Sequence, residues 1–131
     1  MYKFYGQFNP PVDKFIFERY FPEPNIRGVF VECGAFDGVT ECSCKFFEET
    51  LGWSGINIEP VPWVYEKLCL NRPDAKNFNL ALSNHSGKSV FQAVKHPVLG
   101  LDSAMGHCRI PSSTKPYLNK TAVNLSLLRS G

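Results

Sequence analysis

Two short apolar runs in this chain each end in a carboxylate, and the first leads straight into a glycine-rich turn. Residues 28–38 read Gly-Val-Phe-Val-Glu-Cys-Gly-Ala-Phe-Asp-Gly, and residues 55–60 read Gly-Ile-Asn-Ile-Glu-Pro. Glycine at 34 permits a sharp turn after the first run, and glycine at 38 permits a ligand or a helix to approach closely. Amides of such a turn, and of the helix start behind it, are expected to face the crevice at the carboxyl end of the strand, where an anionic group can sit. Ligands of open α/β sheets collect in that crevice. Glu32 closes a buried run, and a carboxylate there is costly unless a cationic or donor-rich group meets it. Glu59 closes the second run about 20 residues after Gly38, a placement that suits an acid accepting hydrogen bonds from two ribose hydroxyls.

Nucleotide-type cofactors therefore fit, and the turn discriminates among them. A dinucleotide fingerprint G-x-G-x-x-G started at Gly34 requires glycine at two positions held here by Phe36 and Val39. The carboxylate of Asp37 would also repel a pyrophosphate. A sulfonium ligand with an amino-acid end suits this acidic turn better, so S-adenosylmethionine is favoured over NAD.

The elements that must hold these residues alternate as β and α. Residues 1–11, aromatic and interrupted by proline, read as an arm packed on the domain. A helix is predicted over 12–20, with Val12, Phe15, Ile16 and Tyr20 at helical spacing, Asp13 acidic near its start and Pro22 and Pro24 beyond its end. The nearly all-apolar strand 29–33 suits a position with both faces covered. A second helix is predicted over about 41–50, capped by Thr40 or Asp37, with Phe46, Phe47 and Leu51 inward and Gly52 as its stop. Strand 53–59 follows. Pro62 opens a third helix whose inner face carries Trp63, Val64, Leu68 and Cys69 or Leu70, and Asn71-Arg72-Pro73 ends it. Residues 78–82 read as a third strand, 84–87 as a turn and 89–94 as a further strand. From 97 to 119 Ser, Pro, Gly and Asn dominate, arguing for loop; for 121–128 strand and short helix both fit.

Composition limits the possibilities. With 131 residues the chain is expected to form one domain, organised as an arm and helix (1–27), a cofactor-binding βαβαβ core (28–94) and a loop-rich tail (95–131). A hydrophobic content of 44% with 20% charged residues supports a core. The net charge of +2 comes with scattered basic residues, which gives no nucleic-acid footprint. No apolar stretch reaches membrane-spanning length, and residues 1–7 lack the apolar centre of a secretory signal. Five cysteines without a CxxC pair, and no histidines at ligand spacing, read as reduced thiols in a cytoplasmic protein with no metal site.

A resemblance sharpens this reading. Residues 32–40 (Glu-Cys-Gly-Ala-Phe-Asp-Gly-Val-Thr), 51–60 (Leu-Gly-Trp-Ser-Gly-Ile-Asn-Ile-Glu-Pro), Tyr65-Glu66-Lys67-Leu68 and Asn71-Arg72-Pro73 resemble the FkbM family of S-adenosylmethionine-dependent methyltransferases. Asn79-Leu80-Ala81-Leu82-Ser83-Asn84 with Gly87, and the earlier Tyr5-Gly6-Gln7 and Arg19-Tyr20-Phe21, are similar to further segments of that family. The likeness covers about residues 5–94. It implies a Rossmann-like class I methyltransferase fold and methyl transfer to an oxygen of a sugar, polyketide or other small metabolite. It further implies that Glu32, Gly34, Ala35, Phe36, Asp37 and Gly38 form the loop under the methionine part. Thr40 would hold the carboxylate end or cap the helix, Glu59 would bind the ribose, and Pro60 would pack beside the adenine. Asn79 and Ala81 would lie near the adenine edge, and the Phe36 ring would line the pocket or fill core.

The family's fourth-strand signature, Asp-x-Glu-Gly, is absent. The chain thus resembles the N-terminal half of such an enzyme, with an incomplete parallel sheet, flanking helices and an open edge that favours homo-oligomers. In-line methyl transfer is chiefly a matter of positioning, and no catalytic residue is identified: His85, His96 and His107 read as surface or loop histidines. Three functions follow: an active methyltransferase, a non-catalytic cofactor-binding or structural remnant of one, and another nucleotide-dependent α/β enzyme. Glu59→Ala is expected to abolish cofactor affinity and leave the fold intact.

Overall fold

The computed structural model describes residues 1–83, 86–95 and 119–129. The N-terminal part alternates as expected: α1 (Val12–Tyr20), β1 (Val29–Cys33), α2 (Lys45–Glu49), β2 (Ser54–Ile58), α3 (Pro62–Asn71) and β3 (Lys76–Phe78). Strands β1, β2 and β3 form a three-stranded parallel sheet in that order, with Val29 opposite Ser54 and Asn57 opposite both Glu32 and Asn77. The chain is thus a mixed α/β protein built on a small parallel sheet with helices.

Aromatic packing forms the core. Phe17 of α1, Phe30 of β1, Phe46 and Phe47 of α2, Leu51 and Trp53 make one buried cluster. The Phe46 ring lies 5.1 Å from Phe17 and 5.3 Å from Phe47, and Phe47 lies 4.9 Å from Trp53, separations typical of favourable ring pairs. The N-terminal arm adds Tyr2 and Phe4, at 5.6 and 4.6 Å from Phe46.

Several expectations change in detail. Helix α1 has the predicted bounds and Ile16 packs against the core as expected, but Asp13 and Phe17 are the buried residues, whereas Phe15 and Tyr20 are exposed. Asp13 is fully buried because its carboxylate accepts the Tyr5 amide at 2.6 Å and the Lys14 amide at 3.0 Å. In β1 only Phe30 of the apolar residues is buried; Val29 and Val31, on the opposite face at the edge of the sheet, are exposed. Helix α2 begins at Lys45 rather than near 41, since Glu41 has φ 53° and residues 40–44 turn. In α3, Val64 and Leu68 face inward as expected, but Leu70 is exposed.

The single strand expected over 78–82 is two. Strand β3 ends at Phe78, and β4 (Ala81–Ser83) belongs to a second sheet of order β4-β6-β5, with β5 at Gly87–Lys95 and β6 at Asn119–Arg129. Between them the Asn79 side chain turns inward, donating to the Glu59 carbonyl at 2.9 Å and the Pro60 carbonyl at 3.0 Å. Strand β6 pairs parallel with β4 and antiparallel with β5, so the segment for which strand and helix both fitted is a strand. The loop expected over 97–119 lies almost wholly outside the described residues, as do His85, His96 and His107.

Candidate cofactor site

The turn after β1 sits against the end of β2. The amides of Gly34 and Ala35 both donate to the Ile58 carbonyl, at 2.8 and 3.1 Å, and the Gly38 amide donates to the Ala35 carbonyl at 3.0 Å. Gly34, Phe36 and Gly38 have φ of 74°, 52° and 76°. The two glycines have different reasons. Among the described residues a Cβ at Gly34 would meet nothing within 4 Å, whereas a Cβ at Gly38 would lie 2.6 Å from Arg72 Cγ and 2.7 Å from Leu68 Cδ1. The close approach foreseen at Gly38 is therefore made by α3. Gly34 is exposed.

Each acid is tied to backbone. Glu59, directly after β2, is 5% exposed; its Oε2 accepts the Phe36 amide at 3.0 Å and its Oε1 the Val61 amide at 2.9 Å. Burial raises its pKa above the usual carboxylate value, and those amide bonds only partly oppose the rise. The carboxylate thus fastens the turn to the start of α3, which argues against the expectation that Glu59→Ala spares the fold. Asp37 Oδ1 accepts the amides of Val39 and Thr40 at 2.9 and 2.7 Å, and Oδ2 accepts the Thr40 hydroxyl at 2.7 Å. Burial works to raise the Asp37 pKa, but the Thr40 and Val39 donors and the charge of Lys67 hold it below its ordinary value. Asp37 thus closes the 37–40 turn, and neither it nor Thr40 caps α2, which starts at Lys45.

Glu32 points to the helix side of the sheet. Its Oε2 accepts the Cys42 thiol at 2.9 Å and its Oε1 the Ser43 amide at 3.1 Å. These bonds supply the donors that a carboxylate at the end of β1 requires, and they hold residues 42–43 outside the helix. Cys42 is 2% exposed, and burial, followed by the neighbouring Glu32, pushes its thiol pKa up to about 12. The thiol is therefore a neutral donor rather than a nucleophile.

The structure brings together the 34–38 turn, Glu59, Pro60 and Asn79, while Glu32 bonds to Cys42 and Ser43 and Thr40 to Asp37. Ala81 is buried in β4, in the other sheet. The amides of Gly34, Ala35, Phe36, Gly38, Val39 and Thr40 are all engaged inside the protein. These six amides are thus turned to internal acceptors, and α2, which starts only at Lys45, is five residues long. A pyrophosphate would find few donors here.

Sequence reasoning read Asn71-Arg72 as a helix end and as part of the family resemblance, with no role assigned to either side chain. Arg72 is 1% exposed and donates to Glu48, to the Gly38 carbonyl and to Cys42 Sγ. The signal available was its place four residues after Leu68 on the inner face of α3. Asn57, fully buried, donates to Asn77 Oδ1 at 3.0 Å, while its own Oδ1 has no partner among the described residues.

A parallel β-α-β unit with a glycine turn after its first strand and an acid after its second is the arrangement in which open α/β sheets place a crevice at the carboxyl ends of the strands. Residues 32–126, well over half of the chain, match the methyltransferase FkbM domain. The chain belongs to that family. No curated protein and no solved structure matches it. Among the described residues no cluster of His, Cys, Asp and Glu could hold a metal ion, and no helix is long and apolar enough to cross a membrane.

Proposed function

We propose that this chain binds S-adenosylmethionine through the 34–38 turn and Glu59 and transfers its methyl group to an oxygen of a small metabolite or sugar. The observation that carries the reading is the pairing of an open Gly34 with a Glu59 carboxylate held beside it. An ionised carboxylate offers about four acceptor positions. Amides of Phe36 and Val61 take one on each oxygen, which leaves acceptor capacity for two ribose hydroxyls. The bound cofactor would supply an electrophilic methyl on a cationic sulfur. Carboxylates at Glu32, Asp37 and Glu59 favour that positive charge, and the inward use of the turn's amides disfavours a dinucleotide.

Membership of the FkbM family, whose members generally use this cofactor, supports the reading. The wider proposal is a Rossmann-like domain in which residues 28–94 hold the cofactor, acting as a cytoplasmic protein on a small-molecule acceptor. Self-association across β1 belongs to the same proposal, supported by the edge position of β1 and its exposed Val29 and Val31. A non-catalytic relative is the second reading, favoured by one observation: Glu32, Asp37 and Glu59 all serve internal hydrogen bonds.

Calorimetric titration with S-adenosylhomocysteine, with NAD as control, tests the assignment. Saturable binding of the first alone is expected. Binding of NAD, or of neither compound, would overturn it. Methyl transfer in an acceptor screen then separates the enzyme from the non-catalytic reading.

A further inference from the structure

We propose that the C-terminal end of α3, through Asn71 and Arg72, is a positioning clamp for the glycine-rich turn and hence for the cofactor placed there; this rests on the function proposed above. Two consecutive residues of the helix end grip two consecutive carbonyls of the turn. Asn71 Nδ2 donates to the Asp37 carbonyl at 2.8 Å, and Arg72 Nη1 donates to the Gly38 carbonyl at 3.2 Å. The same Nη1 lies 2.9 Å from Cys42 Sγ, whose thiol donates to Glu32, so one guanidinium also steadies the acid at the end of β1.

Arg72 is itself held on every side. Its Nε donates to Glu48 Oε2 at 2.6 Å, and Nη2 pairs with the same carboxylate. The guanidinium stands 5.5 Å from the Phe30 ring centroid, within cation–π range. The Arg72 carbonyl accepts Asn77 Nδ2 at 2.9 Å, and Asn77 in turn receives Asn57. The clamp is thus anchored to β3 and β2. An ion pair with Glu48 alone would not require the remaining nitrogen to reach the turn. Nor would it require glycine at 38, where any Cβ would collide with the Arg72 stem. Phe36, a non-glycine residue at φ 52° between two flexible glycines, is the strained point of the turn and needs external restraint to persist.

The test uses Asn71→Ala and Arg72→Lys in the full chain. Asn71 is exposed, so its loss should spare the fold; lysine keeps the charge beside Glu48 but lacks the guanidinium fork. Three quantities are read: amide hydrogen exchange without ligand, S-adenosylhomocysteine affinity, and melting temperature. For Asn71→Ala we expect amides 38–40 to exchange about tenfold faster and affinity to fall about tenfold, equivalent to about 1.4 kcal/mol, with the melting temperature nearly unchanged. Arg72→Lys should show both effects more strongly. Unchanged exchange at 38–40, acceleration spread evenly over β1 and β2, or local acceleration with full affinity would each overturn the clamp. If the wild-type chain does not bind S-adenosylhomocysteine, the cofactor assignment fails, and the exchange data still decide whether α3 holds the turn.

Discussion

Replacing Glu59 by alanine should destabilise the chain by about 2–4 kcal/mol, because it strands the two backbone donors that end on the carboxylate. The Val61 amide, 2.9 Å from Oε1, belongs to a residue only 7% exposed. A buried donor left unpaired costs about 1–3 kcal/mol. The Phe36 amide, 3.0 Å from Oε2, is half-buried and can regain water, so it adds about 1 kcal/mol. Relief of carboxylate burial works in the other direction and favours the lower part of that range. For a chain of this size the loss corresponds to a fall in Tm of about 6–15 °C. Urea titrations of wild type, Glu59→Ala and Glu59→Gln at pH 7 would measure it. Glutamine retains one acceptor oxygen but turns an NH2 toward the other amide, so its midpoint should fall between the other two. If both variants unfold within about 0.5 kcal/mol of wild type, the carboxylate does not fasten the turn and the argument is wrong.

Further expectations concern the same turn. Gly38→Ala combines a left-handed φ with collisions against Arg72 and Leu68 and should cost about 2–5 kcal/mol, whereas Gly34→Ala meets only the backbone penalty of about 1–2 kcal/mol. Equal midpoints in thermal melts of the two would contradict the assignment of Gly38 to helix packing. The lowered pKa of Asp37 means that its folded form binds fewer protons than the unfolded chain. Its stabilisation is therefore present above the ordinary value of 3.8 and lost as pH falls through the folded value, and Asp37→Asn should flatten that acid limb. Glu59, with its pKa raised, has the opposite sign: stability declines as pH rises from 4.5 through its folded value, and Glu59→Gln should remove that slope. Thiol labelling at pH 8, followed by peptide mapping, should modify exposed Cys33 well before Cys42; equal rates would show that Cys42 is not sealed beneath Glu32.

The local signals in the chain were those with a short-range cause. Proline at 62 opens α3, Gly52 with φ 66° stops the segment containing α2, and the spacing of Phe46, Phe47 and Leu51 marks a buried face, all within a turn or two of chain. Alternation of short apolar runs with helices was enough to expect a parallel sheet, and the match of residues 32–126 to the FkbM domain agrees with the motif at 32–60. Periodicity misjudged α1, because the buried face there is selected by a backbone amide, that of Tyr5, reaching Asp13 from the arm.

What each carboxylate does was decided only by tertiary structure. Glu32, Asp37 and Glu59 are alike in sequence as acids at or just after the ends of two short apolar runs. Folding sends the first to Cys42 and Ser43, the second to its own turn, and the third to Phe36 and Val61. Arg72 could be recognised as more than a helix end only once α3 lay against the turn, since its partners Glu48, Gly38 and Cys42 are some 24 to 34 residues away in the chain. Hydrogen-bond donors and acceptors are written in the residue types. Which of them meet is set by the packing of helix on sheet, which brings distant segments into hydrogen-bond contact and leaves Gly34 with no neighbour at its Cβ position among the described residues.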